Sequence, residues 1–421
     1  MTQVKKRPTI LLVAEAVTLA HFARVITLAK ALDPASYEIV VASDPRYTAL
    51  EGQSSFSVQA IHSISSEQFN YALAQGKPLY GYETLDRYVQ EDLALIDRVK
   101  PDLVIGDFRL SLSISAPMRG IPYVAVVNAY WSPYADTIYP IPDLAMTRLL
   151  GVGIAQRLFN LVRPLAFAAH AQPLNRLRRR YGLTSLGHDL RRSYTWGDYT
   201  LYADIPEVIP THGLPPGHRY LGPVLWSTNL SLPDWWTRVP QDKPIVCLTL
   251  GSSGKADFLP AALEALAQLP VTLIVATVGQ AHMQPLPSNI YVADYLPLET
   301  ALLRSKLLIC NGGSLATYQA FACGVPVIGV CSNMDQLLNM SAVQRLRAGI
   351  LLRVGGLKPA SLYNAASVVL NTPAYANAAA CLGQVLRRYD SGQCFRDTVA
   401  AILEQPLGGP PPRECVHTIP A

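Results

Sequence analysis

Along the chain, short continuous apolar runs alternate with longer stretches whose apolar residues recur every three or four positions. In the first half the runs are TILLVA at 9–14, YEIVVA at 37–42, DLVIG at 102–106 and YVAVVN at 123–128. Residues 19–32, between the first two, carry apolar positions at helical spacing. The second half repeats the scheme with IVCLTL at 245–250, a helix over 259–267, VTLIVA at 271–276, LLIC at 307–310 and PVIGV at 326–330. A strand that is apolar at nearly every position is covered on both faces, as in a parallel sheet. The repeated β-α alternation therefore predicts an α/β protein of two doubly wound, Rossmann-like domains facing a cleft, with ligands at the carboxyl ends of the strands.

A chain of 421 residues exceeds one ordinary core, in keeping with two domains. The boundary is expected in GPVLWSTNLSLPDWWTRVPQDKP at 222–244, which has four prolines and no periodicity. Its three tryptophans predict a linker packed into the cleft. The expected organisation is a first domain over 1–222, a linker over 223–243 and a second domain over 244–385. A helix over 386–404 is expected to pack back on the first domain, and the proline- and glycine-rich residues 405–421 to form a flexible tail.

Half the residues are hydrophobic and only 15% are charged, which excludes a disordered or fibrous chain. A net charge of +5, without zinc-finger spacing or a base-reading basic helix, gives no sign of a nucleic-acid partner. Seven cysteines with no CxxC pair suit a reducing cytoplasm. The first 20 residues have a basic start and an apolar stretch, like an export signal, but Glu15 interrupts it. No run of about 20 uncharged apolar residues predicts a membrane span. From Arg148 to Arg192 there are nine arginines and one acid. A solvated helical face is the first reading of this cluster, and a surface for anionic lipid or an acidic substrate the second. For the apolar span 144–170 the first reading is an amphipathic helix covering a binding cleft. Peripheral membrane contact, at the inner face, is the second.

The candidate chemistry starts at CNGGSLATYQAFACGVPVIGV, residues 310–330. A strand, two glycines and a helix start present backbone N–H groups and a helix dipole to an anion such as phosphate. Alone this is weak evidence, but the continuation through NMDQLLNM at 333–340 and RLRAGILL from Arg345 is more specific. Together with LTLGSSG at 248–254, NIYVADYLPL at 289–298 and NRLRRRYGL at 175–183, it resembles the family 1 glycosyltransferases of the GT-B fold, in their bacterial macrolide and flavonoid type. The resemblance runs from about Thr9 to Glu404.

That resemblance implies a donor-binding second domain. Tyr295 and Leu296 would lie against the nucleobase, and Ser252 and Ser253 near the phosphates. Asn311, Gly312, Gly313, Ser314 and Thr317 would form the diphosphate seat. Gln319 would bind the ribose, and Asp335 and Gln336 the hydroxyls of the transferred sugar. The chain departs from the family pattern at Asn311 (usually histidine), Leu315 (glycine), Ala316 (a hydroxyl residue) and Gln319 (glutamate).

In the first domain, AHFARVITLAKAL at 20–32 resembles the family's Gly-His-x-x-Pro segment, with Ala20 and Arg24 in place of the glycine and proline. The resemblance makes His21 the base that takes the acceptor's proton, and Asp107, after the DLVIG strand, its orienting partner. A lone histidine is otherwise read as a helix-cap or surface residue. Phe69, Tyr80, Tyr82, Tyr130, Trp131 and Tyr134 are candidate acceptor-binding rings, able to cover an apolar guest while offering a hydrogen bond.

The implied activity is inverting, metal-independent transfer of a sugar from a UDP- or dTDP-sugar co-substrate to a hydroxyl of a small apolar acceptor: a phenolic, a polyketide or a lipid. No permanently bound cofactor is expected, and the chain is expected to be a monomer or homodimer. Two alternatives keep the fold: a degenerate partner or sensor protein, and a sugar-nucleotide epimerase.

Overall fold

The structure, a computed structural model, describes residues 7–50, 56–226, 230–249, 251, 259–277 and 287–404. The chain divides into two compact units, one of Met1–Asp136, Asn160–Trp226 and Tyr389–Ala421, the other of Thr137–Phe159 and Ser227–Arg388.

The first unit holds a seven-stranded sheet of β1 (Thr9–Ala14), β2 (Glu38–Ser43), β3 (Ser57–Ala60), β4 (Leu103–Asp107), β5 (Tyr123–Val127), β6 (Tyr199–Tyr202) and β7 (His218–Tyr220). Their order is β3-β2-β1-β4-β5-β6-β7, and every pairing is parallel. The second unit holds six parallel strands in the order β10-β9-β8-β11-β12-β13. These are β8 (Ile245–Thr249), β9 (Thr272–Ala276), β10 (Ile290–Ala293), β11 (Ser305–Cys310), β12 (Val327–Cys331) and β13 (Gly349–Arg353).

The first five helices are α1 (Leu19–Ala31), α2 (Ser66–Gln75), α3 (Tyr82–Val99), α4 (Leu112–Met118) and α5 (Ala145–Arg180). After α6 (Leu190–Thr195), the second unit carries α7 (Leu259–Leu266), α8 (Leu298–Leu303), α9 (Ser314–Ala322) and α10 (Met334–Arg345). It ends with α11 (Pro359–Asn371) and α12 (Pro373–Leu386). The last helix, α13 (Ser391–Glu404), returns to the first unit. Its Phe395, Val399 and Ile402 share a core with Phe22 and Ile26 of α1, and Arg396 donates to the Ala31 carbonyl at 3.1 Å.

Strands β1, β4, β5, β8, β9 and β12 are buried at every position, which is why they read as unbroken apolar runs. The strands that the hydrophobic pattern missed are β3, β6, β7, β10 and β13, short and peripheral. β3 (SVQA) is mostly exposed and β13 (GILLR) half-buried, so their sequences lack the signal of double-sided burial. Asp107 is the last residue of β4 and not the residue after it.

Residues 137–159 belong to the second unit, although they fall within the run 1–222 that the sequence suggested for the first. Arg353 donates to the Ile141 carbonyl at 2.7 Å, and the Asp143 N–H donates to the Ser332 carbonyl at 3.2 Å. In the linker stretch, Trp236 is buried and the Trp235 indole donates to the Val292 carbonyl at 2.9 Å. Both tryptophans therefore pack within the second unit. Residues 405–421 lie outside the described residues.

Each sheet reverses its strand order once, between β1 and β4 in the first and between β8 and β11 in the second. In open parallel sheets ligands collect at the carboxyl ends on either side of that reversal. Ala14 pairs with Asp107 across the first, and Thr249 with Cys310 across the second.

Candidate active site

At the first reversal, β4 ends on Asp107, which is 1% exposed, and the first turn of α1 carries His21. The His21 Nδ1 lies 2.7 Å from Asp107 Oδ1. Arg24 stands one helical turn after His21, where positions three apart share a face. Its Nε donates to Asp107 Oδ2 at 2.7 Å, its Nη2 to Oδ1 at 3.0 Å and its Nη1 to Asn128 Oδ1 at 2.7 Å. Asn128 donates in turn to Asp204 at 3.2 Å.

A carboxylate only accepts hydrogen bonds, so the short His21–Asp107 contact puts a proton on Nδ1. Arg24 Nη2, 3.1 Å from the same nitrogen, carries two hydrogens and gives one to Asp107, while Asp107 Oδ1, at the shorter distance, takes the Nδ1 proton. The lone pair of His21 is thereby assigned to Nε2, the nitrogen a general base uses. Burial alone would lower the Arg24 pKa, but the Asp107 carboxylate, by charge and hydrogen bond, holds it above its ordinary value, helped by Tyr130 and Asp204.

Phe108, the next residue, has φ 59°, a conformation that costs a bulky residue about 1–3 kcal/mol. Its neighbours explain why it is held there. Asp107 is locked as described. Arg109, wholly buried, donates to Glu15 Oε2 at 2.9 Å, Glu91 Oε2 at 2.8 Å and Asp92 Oδ1 at 3.1 Å. It also lies 3.7 Å over the Tyr88 ring. Burial pushes the Glu15 and Asp92 carboxyls up, with Arg109 pulling against it. The strained turn lays the Phe108 ring against His21, centroids 5.0 Å apart and planes 6° off parallel. An imidazole fixed by hydrogen bonds at one edge and by a ring on one face has little freedom to rotate.

The candidate acceptor rings divide around Phe108. Phe69 and Tyr80 contact it directly at 6.5 and 6.2 Å, and Trp131 reaches it through Tyr194, at 5.1 and 5.3 Å. The other three have different surroundings, although Tyr82 borders the same core. Tyr82, at the start of α3, accepts from Arg180 at 2.9 Å, Tyr130 is wholly buried, and Tyr134 sits edge-on to His218 at 5.6 Å. Phe69 and Tyr80 are themselves buried. The Tyr80 hydroxyl has no hydrogen-bond partner among the described residues, and burial pushes its pKa up.

At the second reversal the chemistry is neutral. Asn311 Oδ1 accepts from the Gly313 N–H at 3.1 Å, so the side chain builds the turn that starts α9. Gly312 has φ 84°, and a Cβ there would meet Cys331 Sγ and Met340 Cγ, each at 2.7 Å. Its carbonyl accepts from Asn339 Nδ2 at 2.9 Å. The same amide donates to Thr317 Oγ1 at 3.0 Å, while Thr317 donates to the Ser314 carbonyl at 2.9 Å. Thr317, 1% exposed, thus holds the helix start together. A helix start leaves its first backbone N–H groups without intrahelical acceptors.

Gln336 caps α10: its Oε1 accepts from Ser332 N at 2.8 Å and Asn333 N at 3.4 Å, and its own N–H donates to Asn333 Oδ1 at 3.0 Å. It is buried, whereas Asp335 beside it is half-buried. Gln319 is buried on α9, Leu296 is buried, and Tyr295 is exposed. Ser252 and Ser253 lie outside the described residues. The second unit therefore brings Asn311, Gly312, Gly313, Ser314 and Thr317 into one turn, with Gly251 beside it: a Cβ on Gly251 would lie 2.9 Å from Asn311 Nδ2.

The residues that sequence reasoning did not single out for the site are Arg24, Asn128, Phe108 and Tyr194. Arg24 had a signal, a cation three positions after a candidate base on a helix. Phe108 and Tyr194 had none.

A family model described as erythromycin biosynthesis protein CIII-like, C-terminal domain, matches residues 261–418. Over 383 residues the chain is 52% identical to a PGL/p-HBAD biosynthesis rhamnosyltransferase of Mycobacterium bovis (strain BCG / Pasteur 1173P2), covering 91% of this chain and 85% of that one. It is 50% identical over 381 residues to a PGL/p-HBAD biosynthesis glycosyltransferase of Mycobacterium tuberculosis (strain ATCC 25177 / H37Ra), covering 90% and 89%. Among solved structures, the spinosyn rhamnosyltransferase SpnG complexed with thymidine diphosphate superposes with a TM-score of 0.67 at 17% identity, over 93% of this chain and 99% of that one.

Proposed function

The chain belongs to the family 1 glycosyltransferases of the GT-B fold, and from that premise we propose that it moves a deoxysugar from a dTDP-sugar to a hydroxyl of a largely apolar acceptor, with inversion. The observation that carries the mechanism is the His21–Asp107 pair, 2.7 Å apart, with a tautomer that leaves Nε2 as the basic nitrogen. An alcohol is a weak nucleophile at neutral pH, so a base that takes its proton during attack is worth about 10²–10⁴ in rate. His21 removes the acceptor's proton as its oxygen bonds to the anomeric carbon. The bond from that carbon to the diphosphate breaks on the opposite face, and the nucleoside diphosphate leaves with the electron pair.

Arg24 and Phe108 are positioning residues, which act through Asp107 and the imidazole. The first-turn N–H groups of α9 hold the diphosphate, and Asp335 takes hydroxyls of the sugar. Gln336 is committed to its helix cap through Oε1. The preference for dTDP and a deoxysugar is supported by the relative named a rhamnosyltransferase and by the thymidine diphosphate complex of a structure with the same fold. The PGL/p-HBAD names of the relatives support a phenolic or lipid acceptor.

The test offers dTDP-rhamnose and UDP-glucose in parallel, with a panel of phenolic acceptors and with chelator present. Transfer from dTDP-rhamnose with an inverted anomeric centre, unaffected by chelator, is expected. Retention of configuration, or epimerisation of the donor without acceptor, would sink the reading.

A further inference from the structure

Beyond the transfer chemistry, we propose that the outer face of α5 docks this protein on an anionic lipid bilayer. The helix is broken at Gly151 (φ 73°, ψ 158°), and the piece that follows carries two apolar faces. Ala155, Phe159, Phe167, Ala171 and Leu174 are buried and anchor one face in the fold. Ile154, Leu158, Leu161 and Leu165, spaced four, three and four apart, form a second stripe on the far side of the helix axis. Their exposures are 56%, 42%, 78% and 75%. Leu149, just before the break, is 83% exposed. Leucines scattered singly on a surface need no explanation, but a contiguous stripe on one helix does.

Charge decides what covers the stripe. Residues 144–188 hold seven arginines and no aspartate or glutamate. Arg157 is exposed beside the stripe, and Arg148 is exposed before the break at Gly151. At helical spacing the same face continues to Arg176 and Arg179, which are also exposed. Apolar side chains flanked by exposed arginines, with Asp143 beside Thr147 and Asp86 beside Arg180 as acids at the helix ends, match a surface of hydrocarbon beneath anionic headgroups. A second copy of the chain is the poorer fit, because an isologous contact would set these arginines against their own symmetry mates. No helix among the described residues is long and apolar enough to cross the membrane, so the contact is one that lies on the bilayer.

The experiment sediments the full chain with vesicles of equal parts phosphatidylglycerol and phosphatidylcholine, and with pure phosphatidylcholine. Binding to the anionic vesicles that weakens with added salt is expected, with little binding to the neutral ones. Leu161→Asp with Leu165→Asp should lower the partition coefficient by about tenfold or more, with melting temperature unchanged. Arg157→Ala, which leaves the apolar stripe whole, should lower it less, and only for the anionic vesicles. The proposal is overturned if the wild-type chain ignores anionic vesicles, or if the double aspartate variant binds them equally well. It is likewise overturned if the chain is a dimer in solution that the double variant converts to monomer, which would assign the stripe to a second copy.

Discussion

The carboxyl ends of the two sheets can be compared strand by strand, because both sheets are parallel and each reverses once. In the first unit those ends are charged. Glu15 follows β1, Asp44 follows β2, Asp107 ends β4 and Asp204 lies two residues beyond β6. Arg24, Arg46 and Arg109 tie three of them down. In the second unit Asp294 follows β10 and Asp335 lies in the first turn of α10, but the positions around the reversal are Gly251, Asn311, Gly312, Asn333 and Asn339, joined by neutral hydrogen bonds. Its most strongly shifted titrating groups are thiols that burial pushes up, Cys247 and Cys310 to about 12 and Cys331 well above its usual value. The two ends thus suit the two tasks proposed for them. A proton acceptor needs a base whose tautomer is fixed by a charge, whereas a seat for an anion needs backbone N–H groups and no competing carboxylate.

The largest effect expected from breaking this contrast is on turnover. His21→Ala should lower kcat/KM by about 10³-fold, while the melting-temperature shift produced by dTDP stays as in the wild type. A variant that loses both would show that His21 shapes the fold instead of acting as the base.

Arg24→Met comes next. It leaves Asp107 buried without its cation, which should cost about 3 kcal/mol of stability in urea unfolding. A misaligned imidazole should lower kcat by about 10²-fold with little change in KM. Adding Asp107→Asn should restore much of the stability and none of the rate. Recovery of both would end the positioning role.

In the neutral unit, Gly312→Ala tests geometry with no charge involved. The positive φ and the Cys331 and Met340 contacts at 2.7 Å together should cost about 3 kcal/mol, read as a fall in the urea midpoint. Asn339→Ala, which strands the Gly312 carbonyl and Thr317 hydroxyl, should cost about 2 kcal/mol.

The smallest effect is a pH dependence of the charged unit. Burial pulls the His218 pKa down to about 4, and its Nδ1 lies 2.8 Å from the Tyr202 hydroxyl. A depressed folded-state value means that the unfolded chain binds more protons between about pH 6.5 and 4. The contribution is therefore complete above about 6.5 and is lost as pH falls toward 4. His218→Gln should flatten that part of the stability–pH curve. An unchanged slope would show that other groups set it.

The six wholly buried strands β1, β4, β5, β8, β9 and β12 were legible in the sequence because double-sided burial forces apolar residues at nearly every position. Edge strands β3 and β13 were not, since one open side relaxes that demand. At the site, His21 and Asp107 were legible through the segments that carry them. The aromatic cluster was only partly so. Tyr82, Tyr130 and Tyr134 looked like Phe69 and Trp131 in composition, yet only the last two, with Tyr80, gather round Phe108. An aromatic residue in a loop carries no mark of which way the loop turns.

By itself the sequence determined the two-sheet α/β plan and the family, and it placed the candidate base and the candidate anion-binding turn, because each rests on residues near one another along the chain. Only the tertiary structure decided how they are held. Arg24, Asp107, Asn128 and Asp204 come from four separate elements, and their hydrogen bonds exist only once β1, β4, β5 and β6 lie side by side. The same holds for the open stripe on α5. Hydrophobicity placed apolar residues on both sides of that helix, and only the packing of the rest of the chain settled which side remained uncovered.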